Sequence, residues 1–289
     1  GSSPARMLSA IVMLLTIVAA ASSIVGASAA SFCAAENWKQ VWSDEFNGDT
    51  LDTNVWRKDV GPPGDSRTRQ ARAIADAVWV QDGALVIRAN AAWDPSARAW
   101  TNRTSGAVTS KGKRSWSGKT RVCVSAKLPG GGGNNSGRGV WPAHWLMPDD
   151  SSCWPCHGEI DIFEMIDGDG KLRGTYHWCY NQTCGGGPNH GSQGYTTLVP
   201  ADFGHEWHEY AVEYDVDGTS GDAPSITWAF DGSVYGKTTS KPRFFSGTSY
   251  YVILNTALGG WAGPPAATTT FPTDHFVDYV RVAQPVNAL

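Results

Sequence analysis

Short runs of alternating apolar and polar residues recur along the chain, each bounded by turn residues. Residues 84–89 follow an Asp82-Gly83 pair, and residues 120–128 alternate until Pro129. Residues 207–214 place Tyr210, Val212 and Tyr214 on one face. Residues 225–230 and 233–235 flank Asp231-Gly232, and residues 250–254 and 276–282 complete the set. A period of two predicts strands, and an Asp-Gly pair between two such runs predicts a tight hairpin. No long stretch carries the helical period. Many short strands joined by Gly- and Pro-rich connections predict an antiparallel all-β sandwich or barrel. No internal repeat or interdomain linker interrupts the pattern, so residues 30–289 read as one domain.

One strand breaks the rule. Glu159-Ile160-Asp161-Ile162-Phe163-Glu164 reads as a buried strand yet carries three carboxylates. Glu159 and Asp161 alternate onto one face, while Glu164 is out of step by one residue. A β-bulge, one extra residue in the strand, would turn Glu164 back onto that face. Three like charges so close are costly unless at least one acid keeps a proton. Paired carboxylates across a glycosidic bond are the working parts of most glycoside hydrolases, so Glu159 and Glu164 are candidate catalytic residues with Asp161 assisting between them. The three should titrate as a coupled set. Five residues of ideal strand span roughly 15 Å, whereas a retaining pair needs about 5 Å between carboxyl groups. The bulge and the long Glu side chains must therefore bring the two together.

The chain opens with Arg6, an apolar run from Met7 to Val18 and an Ala27-Ser28-Ala29 pattern. This predicts a signal peptide over 1–29, with residues 1–6 an upstream extension, and a secreted mature protein. No later stretch approaches the roughly 20 apolar residues of a membrane span. Only 17% of residues are charged and the net charge is −4, which excludes nucleic acid and anionic membrane surfaces as partners. Fourteen tryptophans among so few charges suit stacking on flat neutral ligands such as sugars. The six cysteines Cys33, Cys123, Cys153, Cys156, Cys179 and Cys184 read as three disulfides in an oxidising compartment, with 15 connectivities open. A zinc site at Cys153, Cys156 and His157 lacks a second ligand pair. Sequons at Asn102, Asn134 and Asn181 agree with a secreted glycoprotein, and the glycine-rich segment 130–137 reads as a surface loop.

The acidic strand resembles the E-x-D-x-x-E motif of glycoside hydrolase family 16, in its laminarinase-like branch, which carries the extra bulge residue. The resemblance extends over the mature chain: residues 41–48 with Leu51-Asp52, Thr104-Ser105-Gly106, Lys127-Leu128-Pro129, residues 140–145, Trp154-Pro155, residues 254–261, Phe271-Pro272 and residues 277–282 follow in the family's order. It implies a β-sandwich jelly roll, concanavalin A-like, with a substrate cleft on its concave face. It also implies retaining hydrolysis of β-1,3-glucan, in which Glu159 is the nucleophile, Asp161 the assisting residue and Glu164 the acid/base.

By the same resemblance, Trp141, Trp154, His177, Trp261 and Asn255 bind substrate. Glu45, Gly83 and Asp278 match a structural calcium site, no cofactor being required for the chemistry. The partner is a β-glucan polysaccharide and the protein a monomer. Ala77 stands where relatives often have a sugar-binding Asn, which bears on substrate preference. Rival readings are glucan transglycosylation, hydrolysis of mixed-linkage glucan or galactan on the same site, and a non-catalytic glucan-recognition protein. The last usually lacks one or both glutamates, and both are present here.

Overall fold

The computed structural model describes Gly1 and residues 32–64, 66–129, 137–150, 153–181, 183–185, 187–199, 206–216, 223–239 and 248–286. The expected signal peptide, the sequon at Asn134 and all but the last residue of the glycine-rich segment lie outside the described residues. The chain forms β1 (Trp38–Asp44), β2 (Arg57–Lys58), β3 (Arg72–Ala73), β4 (Val78–Gln81), β5 (Ala84–Asp94), β6 (Ala99–Ser105), β7 (Ala107–Thr109), β8 (Thr120–Lys127) and β9 (Val140–Pro148). It continues through β10 (Glu159–Glu164), β11 (Lys171–Cys179), β12 (His190–Leu198), β13 (His208–Asp215), β14 (Ser225–Phe230), β15 (Ser233–Thr238), β16 (Tyr250–Leu258) and β17 (Thr273–Pro285). Helix among the described residues is confined to short 3-10 turns such as Ala75–Ala77.

The strands form two sheets. One runs β15-β14-β13-β8-β17-β5-β6-β3, with β1 on β17 and β4 on β5. The other runs β12-β11-β10-β9-β16-β7-β2. Together they make an all-β sandwich, one of the two architectures the alternation predicts, and the jelly roll that the resemblance implies. Asp231-Gly232 turns a hairpin as anticipated, and Asp82-Gly83, expected as a turn, makes a second one. Asp82 (φ 52°) and Gly83 (φ 76°) join β4 to β5, and Asp231 (φ 45°) and Gly232 (φ 77°) join β14 to β15. Positive φ at both central residues gives the strand twist a hairpin needs.

The alternation sorts side chains into an inner and an outer set. Leu85, Ile87, Val122, Val124, Tyr210, Val212 and Tyr214 from the larger sheet meet Leu146, Ile160, Ile162, Phe163, Val252 and Leu254 from the smaller one in the main core. Fully burying such a side chain is worth about 1.5–3 kcal/mol, which fixes the register, because a one-residue slip would turn the whole inner set outward. Several strands outrun their predicted ends. β16 continues to Leu258 and β17 covers Thr273–Pro285. Both are interior strands whose length follows their neighbours: β17 pairs with β1, β5 and β8.

All six cysteines are paired, as Cys33–Cys123, Cys153–Cys184 and Cys156–Cys179. The last two clamp the loop carrying Trp154 to the end of β11 and the loop after it.

Candidate active site

β10 carries the bulge that its sequence demands. Glu159, Ile160 and Asp161 pair with His177, Tyr176 and Thr175 of β11, after which the register shifts so that Glu164 faces Arg173. The same shift occurs against β9 between Asp161 and Phe163. Ile162 and Phe163 both enter the core, and Glu159, Asp161 and Glu164 all emerge on the opposite face. A bulge leaves backbone groups without ladder partners, and buried backbone groups need partners. The facing sheet supplies them. Trp228 Nε1 on β14 donates to the Asp161 carbonyl at 2.8 Å, and Tyr235 Oη on β15 donates to the Ile162 carbonyl at 3.4 Å. Gly174 makes room for that indole, since a Cβ there would lie 2.3 Å from Trp228. Gly158 starts the strand at φ 87°, where a Cβ would lie 2.7 Å from the Tyr250 hydroxyl.

The three acids line a cleft of about 450 Å³ on the outer face of the smaller sheet. Its floor is the outward set of two neighbouring strands: Trp141, Ala143, Trp145 and Met147 on β9, and Tyr251, Asn255 and Ala257 on β16. Trp154 and a loop bearing Ser66, Arg67 and Arg69 form walls.

Each glutamate is held by an indole. Trp141 Nε1 donates to Glu164 Oε1 at 3.0 Å, and Trp154 Nε1 donates to Glu159 Oε2 in a short contact. An indole N–H only donates. It therefore orients each carboxyl group from one side, and neither indole engages Glu159 Oε1 or Glu164 Oε2.

His177 sits directly across from Glu159 in the β10–β11 ladder. Its Nε2 lies 3.0 Å from Asp161 Oδ2 and 4.0 Å from Glu159 Oε1, so it serves the middle acid rather than a glutamate. Its Nδ1 lies 2.7 Å from His190 Nε2 on β12. The result is a chain Asp161–His177–His190, with Asp161 also hydrogen-bonded to Glu159.

Burial dominates the electrostatics. Desolvation, with help from Asp161, pushes Glu159 up to about 7. Desolvation pushes Asp161 up to about 8, partly opposed by its bond to Glu159. Glu164 is raised well above the usual carboxylate range, by burial first and then by the charges of Asp161 and Glu159. The carboxylates therefore lie close enough for each charge to act on the next, and the site holds protons that isolated carboxylates would lose.

The other expected site residues fall into two groups. Asn255 lines the cleft, but its Oδ1 accepts from Trp145 Nε1 at 2.7 Å and its Nδ2 donates to the Arg67 carbonyl at 2.7 Å. Its polar atoms are thus engaged in positioning a floor tryptophan and a wall loop. Trp261, 54% exposed, does not line the cleft itself; it packs edge-on behind Trp141 with ring centroids 5.7 Å apart.

Sequence reasoning passed over Trp145, Tyr251, Arg67, Arg69 and His190. Trp145 was within reach of a simple rule, since it lies four residues after Trp141 on the same face of one strand. His190 was not, because only the β11–β12 pairing brings it beside His177.

Of the calcium set, the Glu45 carboxylate is already engaged, so an ion there would draw on carbonyl oxygens and Asp278. Both Glu45 oxygens accept from Arg281, at 3.0 and 2.7 Å, and Asp278 adds its charge to the same guanidinium.

Residues 74–281 match Glycosyl hydrolases family 16. The chain is 32% identical over 270 residues to a β-glucanase of Rhodothermus marinus, covering 86% of each protein. It is 31% identical over 274 residues to glucan endo-1,3-β-glucosidase A1 of Niallia circulans, covering 84% of this chain but 37% of that longer protein. Among solved structures, the catalytic domain of an endo-1,3-β-glucanase (laminarinase) from Thermotoga petrophila RKU-1 superposes with a TM-score of 0.71 at 29% identity. That match covers 88% of this chain and 100% of the other. With its bulged acidic strand, its two indole-held glutamates and a family match over most of its length, this chain belongs to glycoside hydrolase family 16.

Proposed function

We propose that the protein is a secreted, endo-acting β-1,3-glucan hydrolase that works with retention of configuration. The observation that carries this reading is the set of three buried carboxylates on one face of β10, two of them oriented by indole donors in an aromatic cleft. The names of the relatives support the substrate class. The apolar leader and three disulfides support an oxidising, extracellular setting. No helix among the described residues is long and apolar enough to cross a membrane.

The chemistry follows from the proton distribution. Burial raises Glu159, Asp161 and Glu164 together, so this coupled set holds protons into the neutral range. Glu159 Oε1 attacks the anomeric carbon as the glycosidic C–O bond breaks, and Glu164 Oε2 delivers its proton to the leaving oxygen. Once the leaving sugar has gone, Glu164 is a carboxylate. It takes a proton from water while the water oxygen attacks the anomeric carbon and releases Glu159. The tryptophans offer flat faces to sugar C–H groups.

The test is digestion of laminarin with product sizing, alongside lichenan and agarose, and NMR of the first anomer formed. Short β-1,3-oligosaccharides released first as the β-anomer are expected. Initial release of the α-anomer would refute retention, and preferential cleavage of agarose would refute the substrate. Glu159→Gln should abolish laminarin cleavage, and activity persisting in that variant would refute the assignment of the nucleophile.

A further inference from the structure

The face of the larger sheet that points away from the core carries a second aromatic trough, of about 340 Å³, which the chemistry above does not use. A single cross-strand row builds it. Trp79 on β4 pairs with Val86 on β5, Val86 with Phe276 on β17, and Phe276 with Lys127 on β8. Three strand spacings separate the ends of this row by roughly 14 Å. The apolar floor is Ala84, Val86 and Phe276. Trp79 closes one end, and Trp207, 44% exposed and just outside β13, closes the other.

Both rings are braced by a cation. Arg88 Cζ lies 4.9 Å from the Trp79 ring centroid and Lys127 Nζ 5.1 Å from that of Trp207. Arg88 is itself fixed by two 2.7 Å bonds to Asp274. Trp79 Nε1 donates to Gln81 Oε1 at 3.0 Å, which also sets the ring's angle. Holding an amphipathic ring upright beside an apolar floor lowers the entropy lost when something flat settles there.

The trough's chemistry narrows its occupant. Arg88 and Lys127 are balanced by Asp82 and Asp274, so the lining is formally neutral. That disfavours nucleic acid, acidic polysaccharide or a charged peptide. Gln81, Asp82 and Lys127 set hydrogen-bonding groups around apolar stacking faces, an arrangement that matches a neutral polyhydroxylated chain. The catalytic cleft uses the same device, with Arg69 Cζ 5.1 Å from the Trp141 ring.

We infer that this trough is a second, non-catalytic site that holds a segment of neutral β-linked glucan chain on the face opposite the cleft. The choice of glucan rests on the proposed substrate. Such a site would keep the enzyme on a particulate polymer between cleavage events, raising the effective concentration of cleavable chain.

Trp79→Ala/Trp207→Ala tests it, with Trp207→Ala alone as the variant that leaves every strand untouched. Two quantities are read: hydrolysis of a short soluble β-1,3-gluco-oligosaccharide, and adsorption to insoluble β-1,3-glucan particles in the cold. Oligosaccharide kcat/KM should stay within twofold of wild type. Particle affinity should fall at least tenfold in the double variant and several-fold in Trp207→Ala. Unchanged adsorption by Trp207→Ala and by a folded double variant would overturn the inference. So would the finding, by sedimentation, that the substitution dissolves a dimer while adsorption persists, which would make this face a protein contact. A wild-type protein that cleaves no β-1,3-gluco-oligosaccharide would refute the proposed function instead. The adsorption arm needs no cleavage and would still decide whether the trough holds polysaccharide.

Discussion

Glu159→Gln should make the protein more stable, and the gain should depend on pH. In the folded state Glu159 holds its proton to about 7, whereas its ordinary value is 4.5. The folded protein therefore binds more protons than the unfolded chain between these limits. The carboxyl group's favourable contribution is complete below about pH 4.5 and is lost as pH rises through about 7. Each unit is worth 1.36 kcal/mol, so ionising Glu159 in place costs about 3 kcal/mol. The side chain is 15% exposed, so solvent screens little of this. Glutamine keeps an oxygen for the Trp154 indole and carries no charge at any pH. For a domain of this size 1 kcal/mol moves Tm by roughly 2–4 °C. The variant's advantage over wild type should thus be larger by roughly 6–12 °C at pH 8.5 than at pH 4.5. Calorimetry of both proteins at the two pH values measures it; groups away from the site cancel in the double difference, while Asp161 and Glu164 respond to the lost charge along with it. An advantage equal at both pH values, or larger at the acid one, would refute the argument that burial and crowding load this strand.

Three further outcomes are expected. Asp161→Asn removes a charge that raises both Glu159 and Glu164, so both limbs of the pH–rate profile should move to lower pH; unmoved limbs would show that the three acids are not coupled. His190→Ala takes away the bond that holds His177 Nδ1, at about 1 kcal/mol for an ordinary hydrogen bond. A loss of roughly three- to tenfold in kcat with little change in KM would match positioning, and a selective rise in KM would contradict it. Cys153→Ser/Cys184→Ser opens the clamp on the Trp154 loop, whose 31-residue closure is worth about 3–4 kcal/mol. Stability should drop by about that amount in urea titration, and laminarin cleavage should fall with it through the loosened Trp154–Glu159 contact.

Much of this protein was legible before any coordinates. Alternation in residues 84–89, 120–128 and 207–214 marked strands, and the two Asp-Gly pairs turned the chain where expected. The Glu159 to Glu164 spacing called for a bulge, and the bulge is there. These features are local: a period of two, a turn needing positive φ and an acid out of phase each reside in a few consecutive residues.

The rest depends on contacts between residues far apart in the chain. Nothing near Asp161 announces that its carbonyl is held by Trp228, 67 residues away. Asn255 has the character of a sugar ligand in sequence, yet its amide is used by Trp145 and Arg67. The cysteine pairing had many solutions until strand order put Cys156 beside Cys179. Nothing near Glu45 in the chain announces that its carboxylate is taken by Arg281, 236 residues away.

The sequence by itself determined that an antiparallel all-β sandwich or barrel would form and that one strand would present three acids to a single face, because pleat and turn chemistry act between near neighbours. Only the tertiary structure decided which oxygens of those acids the indoles hold and how far their protons are held. Those properties come from burial and from partners that other strands deliver, and a carboxylate's charge answers to everything that displaces its water.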